Sequence, residues 1–132
     1  MAKAVRDKKA KISVVLSFWN EAEVIDELAE RLVAMFKGEG CPYELIFVND
    51  ASTDSSLDIL NKRAADNKNI KIVDMARNFG VAECVLAGMT HATGDAVVYM
   101  DTDLQDPPEV IPELLEKWRE GADLVYTRRL SR

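Results

Sequence analysis

Short β-branched runs alternate along this chain with stretches whose apolar residues recur every three to four positions. The first run, Ile12-Ser13-Val14-Val15-Leu16, reads as a buried strand. Asn20-Glu21-Ala22-Glu23 then resembles a capping box. Val24, Leu28, Leu32 and Met35 or Phe36 follow at helical spacing, and Gly38 and Gly40 act as stops. Leu45-Ile46-Phe47-Val48 predicts a second strand, followed by a helix from about Ser55 with Leu57, Leu60 and Ala64 on one face. Ile70-Lys71-Ile72-Val73 is a third strand, and the next helix, from about Val81, is expected to bury Val85, Leu86 and Met89. Ala96-Val97-Val98-Tyr99-Met100 is a fourth strand. Asp106-Pro107-Pro108-Glu109 offers an N-cap acid, first-turn prolines and a glutamate, so a helix should begin there. Leu124-Val125-Tyr126 predicts a fifth strand.

This β-α-β-α-β-α-β-α-β order predicts an α/β fold, a mostly parallel sheet with helices on both faces. There is no internal repeat, low-complexity segment or visible linker, and 132 residues at 48% hydrophobic suit one domain with its own core. The net charge of -6 argues against nucleic-acid binding, which needs a basic footprint, and suits recruitment of a cation to hold an anionic ligand. Cys41 and Cys84 belong to no paired motif and read as reduced, buried thiols. With no signal-peptide pattern and no apolar run near the ~20 residues of a membrane span, they point to a cytoplasmic setting. Residues 1–10 hold Lys3, Arg6, Lys8 and Lys9 against Asp7 and read as a flexible basic arm, with contact to anionic lipid as the alternative.

In an open parallel sheet, ligands bind beyond the carboxyl ends of the strands, where strand order reverses. Polar residues gather at those ends: Ser17 to Glu21, Asn49 to Asp54, Asp74 to Asn78, Asp101 to Asp106 and Thr127 to Arg129. Asp101-Thr102-Asp103 is the most suggestive. In extended chain its carboxylates would point the same way, roughly 6.6 Å apart, and repel unless a cation lies between them. Hard oxygen ligands suit Mg2+ or Mn2+, which keep positions open for phosphate oxygens, and Gln105 offers a further oxygen. A lone Asp-x-Asp is weak by itself, and simpler readings exist for its neighbours. Asp106, Asn20 and Glu23 can be helix caps, Ser52 and Thr53 can cap the second helix, Arg77 and Arg129 can be surface residues, and Asp50 can simply end a strand.

Other chemistries fit less well. One histidine, His91, and no nucleophile elbow leave no Ser-His-Asp hydrolase. Without a Walker A or GxGxxG loop, the phosphate cradle of nucleotide triphosphatases and dinucleotide-binding proteins is missing. A phospho-accepting receiver would want its aspartate after the third strand, where Asp74 is followed by Met75-Ala76-Arg77.

Four segments in order resemble family 2 glycosyltransferases of the GT-A, Rossmann-like fold: Ile12 to Glu21, Tyr43 to Asp54, Arg77-Asn78-Phe79-Gly80, and Asp101 to Glu109. The last two are typical of the polyprenyl-phosphate branch, the dolichol-phosphate mannosyltransferases and bactoprenol glucosyltransferases. The resemblance covers residues 11 to 129. It implies that Ser17, Trp19 and Glu21 line a base and ribose pocket, and that Asp50 reads the nucleobase. Asp101, Asp103 and Gln105 would hold the cation and diphosphate, with Arg77 and Arg129 approaching the phosphates or sugar. The implied reaction moves a hexose from a UDP- or GDP-sugar to a lipid phosphate with inversion. Departures are Ser17 where many members have proline, Asn49-Asp50-Ala51 for a commoner Asp-Asp-Gly, and Val81 for a frequently basic residue. Members continue well past this length. Residues 11–132 are therefore expected to be the donor-binding part of a truncated domain, with the general base, acceptor pocket and membrane anchor beyond residue 132. The full-length protein would sit at the cytoplasmic face of a membrane. A non-catalytic, nucleotide-binding or self-associating fragment, forming homo-oligomers through an exposed sheet edge, is the alternative. A nucleotidyltransferase would want a glycine-rich loop after the first strand, which Ser17-Phe18-Trp19-Asn20 does not supply.

Overall fold

Seven consecutive buried residues, Ile12–Phe18, form the first strand, β1. A strand apolar on both faces can only be satisfied in the middle of a covered sheet, and that is where it lies. The computed structural model describes residues 5–128 and residue 130. In it, α1 (Ile25–Glu39), β2 (Tyr43–Asn49), α2 (Ser56–Asp66), β3 (Ile70–Asp74), α3 (Val81–His91), β4 (Ala96–Tyr99) and α4 (Ile111–Arg119) follow in turn. The sheet order is β3-β2-β1-β4 and every pair is parallel. The chain builds outward from β1 to β2 and β3, then returns to place β4 on the other side of β1. Strand order therefore reverses between β1 and β4, with Ile12 opposite Tyr43 on one side and Ala96 on the other.

The alternation within β1 divides the core. Ile12, Val14, Leu16 and Phe18 pack with Leu28, Leu32 and Phe36 of α1, Leu60 of α2 and Ile111 and Leu115 of α4. Val15, with Ile46 and Val48 of β2, faces Cys84 of α3. The α/β arrangement with helices on both faces is thus as expected. Both cysteines are buried and free.

The structure departs from the pattern-based expectation in four places. First, α1 starts at Ile25 with no side-chain cap, because the Asn20 side chain bonds to the loop after β2 instead. Second, α3 buries Cys84 and Gly88 while Leu86 and Met89 stay 67% and 45% exposed. A Cβ at Gly88 would lie 2.4 Å from Val15 Cγ1, so closeness to the sheet selects the small residues for the inner face. Third, Asp106 caps no helix. A single 3-10 turn, Pro108–Val110, leads into α4, and Pro107 precedes it in extended conformation. Fourth, Leu124 to Tyr126 enters no ladder. Leu124 and Tyr126 are 80% and 77% exposed, and the segment faces β4 across a cavity of about 500 Å3 without bonding to it. At the chain's start, Arg6 donates to the carbonyls of Trp118 and Ala122 and pairs with Asp123 at 2.8 Å, which ties residue 6 to the end of α4.

The amino end of the sheet is closed by a buried carboxylate. Glu44 in β2 is 1% exposed. It accepts from Ser13 Oγ at 2.6 Å, from the Thr93 amide at 2.7 Å and from Lys71 Nζ, with Lys11 Nζ at 3.7 Å. Gly94 completes the fit, since a Cβ there would meet Ser13 Oγ at 2.6 Å. Burial alone would raise the pKa of Glu44. The bonds from Lys71, Ser13 and Thr93 outweigh it and bring the carboxyl down from 4.5 to about 2.

Two predictions follow from these features. Because the folded pKa of Glu44 lies below the unfolded one, its stabilisation is complete above about pH 4.5 and is lost as pH falls toward 2. The midpoint of thermal unfolding should drop across that window. Glu44→Gln should flatten the dependence and cost on the order of 3 kcal/mol at neutral pH, read by chemical denaturation. Ala51 sits at φ 61, a left-handed conformation that favours glycine. Ala51→Gly should therefore stabilise the fold by roughly 0.5–1 kcal/mol, the relieved strain being partly offset by the freer unfolded chain.

Candidate functional site

The carboxyl ends of β1 and β2 are stitched together before any ligand arrives. Asn20, at φ 53, turns its side-chain oxygen to the amides of Thr53 at 2.7 Å and Asp54 at 3.2 Å. In return its own amide donates to Ser52 Oγ at 3.0 Å. Glu21 N donates to Ser56 Oγ at 2.8 Å and Ala22 N to Asp54 Oδ2 at 3.1 Å. Hydrogen bonding from Ser56 holds Asp54 below the usual carboxylate range. Asn20, Ser52 and Thr53, read as possible helix caps, are thus loop-to-loop ties, which fix the backbone from which Trp19 and Glu21 project.

The Asp101-Thr102-Asp103 segment is anchored to β1 by its middle residue. Met100 N donates to Val15 O at 3.3 Å, and Thr102, 5% exposed, donates from Oγ1 to Ser17 O at 3.1 Å. With Thr102 turned inward, Asp101 and Asp103 remain exposed. The chain then bends. Leu104 takes φ 63, and the Gln105 amide donates to Asp103 Oδ1 at 3.1 Å. Asp101 Oδ1 accepts from Tyr99 OH at 2.8 Å, and burial with this nearby carboxylate raises the Tyr99 pKa.

These ends enclose a cavity of about 330 Å3 between β1 and β4, at the reversal of strand order. Ser17, Trp19, Glu21, Asp50, Asp101 and Asp103 all line it. Phe18, Val81 and Thr102 line it as well and were not singled out for this from sequence. A Thr between two Asp at a strand's end was the available signal for Thr102, since alternation must turn it inward. Trp19, an aromatic residue in that lining, is 53% exposed. Partial burial raises the Glu21 pKa first, and the charges of Asp103, Asp54 and Glu23 raise it further. The wall is therefore acidic and self-repelling, a condition that a divalent cation relieves. Among the described residues no three His, Cys, Asp or Glu side chains converge to enclose an ion. Asp101 and Asp103 fit an ion that takes its remaining ligands from water and phosphate oxygens, as Mg2+ and Mn2+ do.

Two expected residues, Arg77 and Gln105, stand apart. Arg77 is exposed, with its guanidinium 4.4 Å over the Phe79 ring, and does not line the cavity. Gln105 meets Asp103 through its backbone amide. Arg129 lies outside the described residues. Asp50 is 6% exposed and bonded to the start of α3. The larger hollow beside β4 is lined mainly by apolar residues, among them Val97, Tyr99, Trp118 and Leu124, with Asp95, Asp106 and Asp123 also in its wall.

The family model for glycosyl transferase family 2 matches residues 13–132. The chain is 45% identical over 120 residues to the uncharacterized glycosyltransferase YkcC of Bacillus subtilis (strain 168), covering 91% of this chain and 37% of that protein. It is 44% identical over 124 residues to the bactoprenol glucosyl transferase of Shigella phage SfX, covering 92% of this chain and 40% of the phage protein. The chain thus spans about two fifths of the length of such relatives. Among solved structures, it matches the glucosyl-3-phosphoglycerate synthase of Mycobacterium tuberculosis in complex with Mn2+, UDP and glucosyl-3-phosphoglycerate. The match has a TM-score of 0.66 at 27% identity, over 85% of this chain and 40% of that one. By sequence, by its GT-A sheet and by the family model that spans nearly all of it, the chain belongs to glycosyl transferase family 2.

Proposed function

We propose that this chain forms the nucleotide-sugar-binding part of an inverting, metal-dependent hexosyltransferase that moves a hexose from a UDP- or GDP-sugar to a polyprenyl phosphate. The observation that carries this reading is the convergence of Trp19, Glu21, Asp101 and Asp103 on one cavity at the switch point of the sheet. The relative that bears the name bactoprenol glucosyl transferase supports the lipid-phosphate acceptor, and the synthase complex supports the cation and a uridine nucleotide.

In this reading Asp101 and Asp103, with Gln105 beside them, would hold Mg2+ or Mn2+, and the bound ion supplies charge neutralisation to the departing diphosphate. Trp19 presents its exposed ring to the base or ribose, Ser17 lines the pocket floor, and Glu21 accepts from a sugar hydroxyl. Arg77 and Arg129 bring positive charge toward the phosphates. The acceptor pocket and general base are assigned to the part of the relatives' length that this chain does not span, and the whole protein to the cytoplasmic face of a membrane. Among the described residues no helix is long and apolar enough to cross one. One feature favours a second reading as a self-associating fragment. Among the described residues β4 is paired on one side only, and Val97 and Tyr99 are exposed beside that edge.

One titration separates the two. UDP, UDP-glucose and GDP-mannose are added to the chain with and without Mn2+ in a calorimeter. We expect binding that requires the metal and weakens about tenfold or more in Asp103→Ala. Binding without metal, undiminished binding by the variant, or a stable oligomer that takes up no nucleotide would each overturn the donor reading.

The anchor of the acidic segment gives another test. Thr102→Val keeps the volume but deletes the donor to Ser17 O. It should cost roughly 1–2 kcal/mol in denaturation and weaken metal-dependent nucleotide binding several-fold. Thr102→Ser, which keeps the hydroxyl, should stay close to wild type in binding.

A further inference from the structure

The alternation of β4 continues past its last residue into the acidic segment. Met100 and Thr102 are buried, while Val97, Tyr99, Asp101 and Asp103 are exposed and so share one side of the chain. The backbone on either side of Asp101 is pinned to β1, by Met100 N to Val15 O at 3.3 Å and by Thr102 Oγ1 to Ser17 O at 3.1 Å. A third bond takes hold of the Asp101 side chain. Tyr99, two residues back on the same side, donates from its hydroxyl to Asp101 Oδ1 at 2.8 Å. Tyr99 is itself set by strand pairing, opposite Val15. Its ring lines the larger hollow beside β4, whereas Asp101 lines the donor cavity. The phenol thus meets the donor site through the carboxylate.

We propose that Tyr99 is a positioning residue that holds the Asp101 carboxylate turned toward the donor cavity and its cation. This rests on the donor-binding reading above. An exposed aspartate turns freely about its side-chain bonds, and ordering it when a ligand arrives subtracts from binding. A bond to an ionised acceptor is stronger than one between neutral groups. The donor here is also stiff, because the place of the ring fixes the place of the hydroxyl. At this spacing a serine or threonine would be too short, and a phenylalanine would fill the same place without the donor. The phenol engages one carboxylate oxygen and leaves the other for a ligand. Outer partners of this kind orient metal-binding side chains and raise the affinity of the site.

Two measurements on the intact chain test the role. The first needs no ligand. With tyrosine Cζ isotope-labelled for NMR, Tyr43→Phe and Tyr126→Phe identify the Tyr99 signal by elimination, since the chain has 3 tyrosines. That signal should move in Asp101→Ala, and the other two should stay. The second follows Mn2+ by paramagnetic resonance with UDP or GDP present. Tyr99→Phe should weaken Mn2+ binding about tenfold. A ring that only packs would leave it unmoved, because phenylalanine keeps the ring. In an Asp101→Ala background Tyr99→Phe should add little, since the phenol acts through that carboxylate. Wild-type Mn2+ binding by Tyr99→Phe, the full loss persisting in the Asp101→Ala background, or a Tyr99 signal indifferent to Asp101→Ala would each overturn the proposal. Should Tyr99→Phe fail to fold, or Asp101→Ala bind no Mn2+, the Tyr99 signal of the ligand-free chain decides it. If the wild type binds no Mn2+ with either nucleotide, the donor reading falls and the positioning role with it. If it binds and Tyr99→Phe binds equally well, only the Tyr99 proposal falls.

Discussion

β1 is hydrogen-bonded along both edges and covered on both faces, and every other element takes its place from that strand. Its apolar alternation sends one set of side chains to α1, α2 and α4 and the other toward α3. Its position between β2 and β4 creates the crevice at its carboxyl end. Such a strand leaves no route to water for a polar side chain within it. Ser13 is fully buried, and Glu44 on the neighbouring strand answers it. That pairing draws in Lys71 from β3 and Thr93 from the turn before β4, so one buried carboxylate joins three strands and that turn at the end opposite the cavity.

The two ends of the sheet are held by different physics. The amino end uses a buried ion and short bonds in a setting of low polarity, where each bond is strong and each loss is expensive. The carboxyl end uses short polar side chains, the Asp54 carboxylate among them, and exposed or part-buried backbone amides, spread over Asn20, Ser52, Thr53, Asp54 and Ser56. Many modest bonds there hold Trp19 and Glu21 without filling the space between them and the two aspartates. The crevice between them stays open and acidic.

The layout of this fold was legible in the chain because strands of a parallel sheet are rich in β-branched and apolar residues, and β1 to β4 all carry such a run despite Ser13, Glu44 and Lys71 within them. The grouping of Ser17, Trp19, Glu21, Asp50, Asp101 and Asp103 was legible because strand ends in such a sheet share one edge. What escaped depends on distances that no local pattern encodes. Asn20 resembles a cap until a partner more than 30 residues away takes its oxygen. Leu86 and Met89 read as core until Gly88 lets α3 settle with its small side down. Leu124 to Tyr126 has the composition of a strand, but strand identity belongs to a pair, and no strand bonds to it among the described residues. Asp50 lines the cavity, but its bonds to the amides of residues 79 and 80 could not be read from the chain.

The inward turn of Thr102 divides the acidic segment between two kinds of selection. The fold interrogates residue 102, whose hydroxyl and volume it needs, and asks less of the residues on either side, whose bonds to Tyr99 OH and the Gln105 amide lie at the surface. Losing the carboxylate at 103 would even ease repulsion on the cavity wall, since the charge of Asp103 helps raise the Glu21 pKa. Variants sorted by abundance or melting temperature would therefore pass substitutions at the two aspartates and reject those at the threonine. A library ranked on stability alone would discard the scaffold of the site while enriching for chains that have lost its chemistry.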